Sequence, residues 1–277
     1  MSKLAAARLI FAALLALSLT CAAGAQTSGR RGAAAASKGE VLYDYRTDLP
    51  RPPVVVVGAA EEDGVLDATF KKYLPDPARC APDASPASED DLADLRASGQ
   101  FAPSVSEAVR GSFTGPARQE TLYIIAVGEC GDLPRSLGNG SSQLVIRRGG
   151  ENVLSLNGYY GTVSAVRDVD GDGVHELLLR VGGSGQGVIE ESAQLLSFAG
   201  GRERVVHDFE NVRVDTCGQG ERTSDIKAAL LRFVAPPPGA GAATRFETDF
   251  YVSRCYEEKD RPRLKDFRFL KRGKLYD

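Results

Sequence analysis

Apolar residues in this chain recur at every second position or in short unbroken runs, a pattern that predicts strands over most of its length. Thr121 to Val127 is a continuous apolar run, and Glu176 to Val181 is another behind a single acid. Runs of this kind predict strands covered on both faces. Gln143 to Leu156 reads as two strands broken at Gly149-Gly150, and Thr162 to Val166 as a short strand on its own. Gln194 to Phe198 and Arg204 to Phe209 read as a hairpin about Gly200-Gly201. Ile226 to Val234 and Arg245 to Val252 form a further pair across a Pro/Gly/Ala tip, with Phe246, Thr248, Phe250 and Val252 on one side. Lys265 to Leu270 alternates charge with Phe267 and Phe269, as an edge strand does. Nearer the N-terminus, Glu40 to Tyr45 and Val54 to Gly58 predict short strands around the breaker Pro50 to Pro53. Leu66, Phe70 and Tyr73 stand at helical spacing, predicting a helix over Glu61 to Leu74 that Pro75 stops. Ser88 caps a second short helix, Glu89 to Ala97.

Between two of these strands lies the densest group of acids, Asp168-Val169-Asp170-Gly171-Asp172-Gly173-Val174-His175-Glu176. Carboxylates at loop positions 1, 3 and 5 can converge on one hard cation, glycine at position 6 permits a sharp turn, and position 7 offers a backbone carbonyl. The predicted ligands are therefore Asp168, Asp170, Asp172, the Val174 carbonyl and Glu176. An EF-hand would close its shell with a glutamate at position 12, where this chain has Leu179. Here the last acid comes at position 9 and leads directly into a strand. The alternative reading is a solvated Asp-Gly turn, against which stands the mutual repulsion of four carboxylates without a cation.

The same loop exposes an internal repeat. Displaced by 56 residues, Gly111 to Leu122 falls on Arg167 to Leu178, with Gly115 on Gly171 and Glu120 on Glu176. Ser112, Thr114 and Pro116 then stand where Asp168, Asp170 and Asp172 stand in the second copy. A period of fifty-odd residues with several strands per unit suits propeller blades. An acidic loop whose ninth residue opens a strand resembles the FG-GAP repeat of integrin-α-type β-propeller blades and their bacterial relatives. The resemblance covers residues 105–210, and only the second copy keeps the acidic loop. It implies antiparallel, blade-like sheets and a structural Ca²⁺ ion. Two or three units are too few to close a propeller. The expected fold class is thus mainly β: antiparallel blade-like sheets, arranged as a partial propeller or a sandwich, with a small N-terminal α/β appendage.

Composition places this domain outside the cell interior. Lys3 and Arg8, the apolar stretch Leu9 to Leu19 and the small residues Ala23 to Ala25 make residues 1–25 a signal peptide. That apolar core is too short for a membrane span, so no transmembrane segment remains after cleavage. Lipidation at Cys21 is the weaker alternative, because Thr20 is an unusual residue before a lipidated cysteine. Residues 26–39 are small and polar, the composition of a disordered linker. Residues 40–104 then form the appendage and 105–277 the β domain. Losing Lys3 and Arg8 moves the net charge from −3 to −5, which gives the chain no reason to condense on nucleic acid. Four cysteines remain after cleavage, an even number suited to an oxidising compartment, and of three possible pairings Cys80–Cys130 with Cys217–Cys255 is preferred. The expected location is secreted or periplasmic.

Other motifs carry less. Gly182 to Gly187 follows a strand, but no Gly-Lys-Ser/Thr ends it and no helix follows, so it reads as a flexible loop rather than a phosphate cradle. His207-Asp208 lacks a nucleophile elbow, and His175 should point away from the acids, to the surface. No catalytic constellation is visible. Two functional readings stay open. One is a calcium-stabilised binding module for an envelope protein or polysaccharide, with nine Tyr and no Trp available for stacking. The other is a metal-dependent extracytoplasmic hydrolase using the acidic loop.

Overall fold

The computed structural model describes residues 39–53, 55–70, 103–126, 142–219, 224–237, 243–255 and 262–276. The signal-peptide segment, the Glu89 to Ala97 helix, Cys80 and Cys130 lie outside them. The described residues form a mainly β structure: β1 (Glu40–Asp44), β2 (Ser104–Gly111), β3 (Glu120–Ala126), β4 (Ser142–Arg148), β5 (Glu151–Gly158), β6 (Thr162–Arg167), β7 (Glu176–Gly185), β8 (Val188–Ser197), β9 (Arg204–Asp215), β10 (Asp225–Val234), β11 (Arg245–Arg254) and β12 (Arg268–Arg272), with one α-helix, α1 (Ala59–Phe70). All ladders are antiparallel.

The smaller sheet is the simple meander β2-β3-β4-β5. The larger runs β6-β7-β8-β9-β10-β11-β12, with β1 added on β10. It curls into a half-barrel. Strand β9 pairs with β8 along most of its length and with β10 only at Arg213 to Asp215. Beyond that divergence β1 occupies the vacated side of β10, from Glu40↔Phe233 to Asp44↔Leu230. The N-terminal strand is therefore built into the large sheet.

Three apolar clusters explain the strand pattern. Leu122, Ile124, Leu144 and Ile146 of the small sheet meet Leu177, Leu179, Leu196 and Phe198 of the large one. On the other face of the small sheet, Tyr123, Ile125 and Val145 pack with Val65 of α1. Inside the curl of the large sheet lie Leu178, Leu195, Phe209, Leu231, Phe250 and the β1 residues Leu42 and Tyr43. β3 and the start of β7 each separate two of these clusters, which is why their sequences show no alternation. Helix α1 is anchored by its acidic first turn: Tyr123 Oη donates to Glu61 Oε1 and the Val105 N–H to Glu62 Oε1.

Two expectations are corrected and one unassigned strand is added. Val55 to Gly58 joins no ladder; the Val55 N–H bonds the Ala108 carbonyl, and Val56 stands in solvent. Gly182 to Gly185 is the distal half of β7, paired with Val188 to Glu191, so the loop is only Gln186-Gly187. The polar segment Ser104 to Gly111, unassigned from sequence, is edge strand β2.

The far end of the large sheet carries a charge cluster centred on a buried acid. Asp249 on β11 is 3% exposed and accepts hydrogen bonds from Arg272 Nε at 2.6 Å and Arg232 Nη1 at 2.5 Å. Burial alone would raise its carboxyl, but those hydrogen bonds and charges outweigh it and hold it below the usual carboxylate range. A depressed folded-state value stabilises the fold above the unfolded value, about 3.9, and the contribution disappears as pH falls through the folded value. Asp249→Asn should cost about 1–3 kcal/mol at neutral pH. Urea titrations from pH 7 down to pH 2 should show the gap to wild type closing below about pH 4. A gap that is constant over that range would refute the assignment.

Candidate metal loop and its partner loop

The acidic loop spans the eight residues between β6 and β7. It is closed by its own side chains: Asp168 accepts the N–H groups of Gly171 at 2.7 Å and Gly173 at 2.9 Å, Asp170 that of Asp172, and Asp172 that of Val174. Gly171 and Gly173 have φ of 79° and 82°, a region in which a side chain is strained. Glu176, the first residue of β7 and 2% exposed, reaches back to accept the Val169 N–H at 3.1 Å.

These turns bring carboxylate oxygens of Asp168, Asp170 and Glu176 within 4.8 Å of one another. Such a group of hard oxygen donors fits a divalent cation. Asp172 stands outside this group, its Oδ1 held by the Val174 N–H at 2.7 Å. The electrostatics express the crowding. Burial pushes the Glu176 carboxyl up to about 7; the Val169 N–H opposes the shift and the charges of Asp170 and Asp172 add to it. Asp170 is raised as well, by burial first and then by Asp172 and Asp168.

His175 is not a free surface residue. Its Nδ1 accepts the Ser112 N–H at 2.9 Å, and its own N–H donates to the Ser112 carbonyl at 2.8 Å. Ser112 belongs to the loop between β2 and β3, so the two loops predicted to be equivalent touch directly. A Cβ on Gly173 would come within 3.0 Å of Pro116 Cβ, a second close approach between them.

The correspondence at a displacement of 56 extends to backbone detail. Gly111 pairs with Glu120 as Arg167 pairs with Glu176. Each glutamate heads the second strand of its sheet, β3 after β2 in the small sheet and β7 after β6 in the large one, and the first strand of each contains a bulge. Glu120 accepts the Phe113 N–H at 2.8 Å, the counterpart of the Val169 N–H on Glu176. Ala117 takes a φ of 55° where Gly173 takes 82°. The hairpins that follow turn at Gly149-Gly150 and at Gly200-Gly201.

Four clefts formed by described residues lie elsewhere. The largest, about 720 Å³, is floored by Gly182 to Gly185 beside Tyr159 and Glu190, and none of the four is lined by a carboxylate of the acidic loop. His207, within β9, is stacked on Phe246 with ring centroids 4.7 Å apart and packs edge-on against Phe209. A disulfide joins Cys217 to Cys255. Among the described residues no helix is long and apolar enough to cross a membrane. The chain matches no family model, no curated protein and no solved structure.

Proposed function

We propose that this is an exported, FG-GAP-like β module whose acidic loop takes up Ca²⁺ as a structural ion, and that it works by binding an envelope protein or polysaccharide. The observation that carries the metal assignment is the convergence of Asp168, Asp170 and Glu176 in the loop between β6 and β7. A cation there removes the repulsion among the three carboxylates and fixes the entry to β7, whose Leu177 and Leu179 lie in the intersheet cluster. Asp172 and the Val174 carbonyl complete the proposed shell, Asp172 by swinging from its bond to the Val174 N–H. Ca²⁺ suits the site because it accepts irregular oxygen shells, whereas Mg²⁺ demands near-ideal octahedra. The signal-peptide pattern and the Cys217–Cys255 bridge support export, since disulfides persist in oxidising compartments. Binding is preferred to hydrolysis because the sequence offers no nucleophile elbow or triad to act with the loop.

The test is a thermal melt of the mature protein in about 10 mM Ca²⁺ against a chelator. With a Kd of ~10⁻⁴ to 10⁻³ M, ordinary for extracellular modules, the ion adds about 1.4–2.7 kcal/mol. That corresponds to a rise in Tm of about 3–10 °C. Asp170→Ala should abolish the rise. Superimposable wild-type melts in the two buffers would remove calcium from the proposal.

A further inference from the structure

We infer that Arg118 is the built-in cation of the β2–β3 loop, serving buried Glu120 as a metal ion from solvent serves Glu176. The comparison with the second loop rests on the calcium reading above; the role of Arg118 in its own loop does not.

Glu120 is a carboxylate 3% exposed at the head of a strand, and its own loop carries Ser112, Thr114 and Pro116 where the second loop carries Asp168, Asp170 and Asp172. Its Oε2 accepts the N–H groups of Phe113 and Thr114, both at 2.8 Å. Its Oε1 accepts the Thr114 hydroxyl at 2.5 Å. Thr114 occupies the place of Asp170, and its Oγ1 in turn accepts Arg118 Nη1 at 2.7 Å, while its carbonyl accepts the same Nη1 at 3.2 Å. The guanidinium is folded over Gly115, the counterpart of Gly171; a Cβ there would lie 2.8 Å from Arg118 Cζ. The Arg118 charge therefore rests on the position-3 oxygen that touches the glutamate, where a cation in the second loop would bridge Asp170 and Glu176.

The backbone repeats the pattern. Arg118 stands at position 7, where Val174 offers its carbonyl in the second loop, and the Arg118 carbonyl accepts the Ser112 hydroxyl at 2.7 Å. Position 1 and position 7 thus converge here through a hydrogen bond instead of through an ion. Arg148, at the end of β4, is the basic group in direct ion-pair range of Glu120, its Nη1 3.7 Å from Oε1, whereas Arg118 reaches the carboxylate through the Thr114 hydroxyl that bonds it. The protein accordingly pairs one loop closed by its own arginine with one that needs an ion, and the first docks on the second through Ser112 and His175.

A double-mutant cycle in chelator isolates Arg118 from any metal. Arg118→Ala should lower Tm by about 2–5 °C, and Arg118→Lys by less than half of that, since the lysine restores the charge. In a Glu120→Gln background the Arg118→Ala shift should fall below half its wild-type size, because the carboxylate it serves is gone. Calcium should raise the Tm of Arg118→Ala by as much as it raises wild type. Adding Thr114→Asp to Arg118→Ala should recreate an ion-dependent loop, so that calcium raises this variant's Tm by more than wild type's. The inference is overturned if Arg118→Ala melts with wild type in chelator, if its shift is undiminished beside Glu120→Gln, or if the Thr114→Asp/Arg118→Ala protein gains no extra response to calcium. A wild type indifferent to calcium, with the Arg118 cycle as expected, would sink the calcium reading alone and leave Arg118 as the charge that closes its loop.

Discussion

Replacing Cys217 and Cys255 together by serine should destabilise the protein by roughly 4 kcal/mol. The two residues are 38 apart in sequence, and cross-linking a loop of that length removes chain entropy from the unfolded state. The native geometry around the bridge is already set without it. Cys217 follows β9 and Cys255 follows β11, and both segments are clipped to the start of β10: the Thr216 N–H bonds the Asp225 carbonyl and the Cys255 N–H the Ser224 carbonyl. Thr216 Oγ1 also accepts the Asp225 N–H at 2.9 Å. Because these bonds survive the substitution, the cost should lie in the unfolded state and appear chiefly as faster folding of the bridged protein. Equilibrium urea curves and refolding rates of the serine variant decide this. A loss under about 1 kcal/mol would mean that the unfolded chain holds these ends together without the bond.

The large sheet and its hairpins were readable because their hydrophobic runs answer to a simple condition, burial on one face or two. Leu122 to Ile125 and Leu177 to Leu179 lie between clusters, and a strand satisfies an unbroken run there. What could not be read depends on partners distant in sequence. Ser104 to Gly111 becomes a strand because β3 pairs with it, with a bulge at Ser106, while the Glu107 side chain accepts the Val163 N–H at 2.6 Å. Gly182 to Gly185 has no intrinsic strand preference and takes its register from Val188 to Glu191. Val55 to Gly58 has the opposite character, β-forming residues for which no ladder is available. In the acidic loop the spacing pointed to a group of acids of which Asp168, Asp170 and Glu176 lie within 4.8 Å of one another, while the Asp172 Oδ1 accepts the Val174 N–H. His175 was misjudged for a related reason. Strand alternation does not apply in a loop, and its orientation is fixed by Ser112, 63 residues earlier.

Phe198→Ala should cost about 3–5 kcal/mol, the range for emptying a buried aromatic site. Phe198 is 0% exposed and follows the last residue of β8, in the cluster where the two sheets meet. The turn after it is tied to the small sheet as well: the Gly200 N–H donates to the Thr114 carbonyl at 3.1 Å. The ring therefore fills the intersheet layer at the point where the second hairpin reaches the Arg118 loop, and little around it can collapse into the vacated space. Strands β3, β4, β7 and β8 supply the neighbouring apolar residues, and all four are fixed by ladders on both sides. Phe198→Leu, which keeps most of the volume, should cost less than about 1.5 kcal/mol. Val205→Ala, in the same hairpin but 47% exposed, should change stability by less than about 0.5 kcal/mol. Urea midpoints at constant m-value measure all three. If Phe198→Ala falls no further than Val205→Ala, the two meanders are not held together through this layer. If instead its m-value drops, the sheets have come apart before the rest of the protein unfolds.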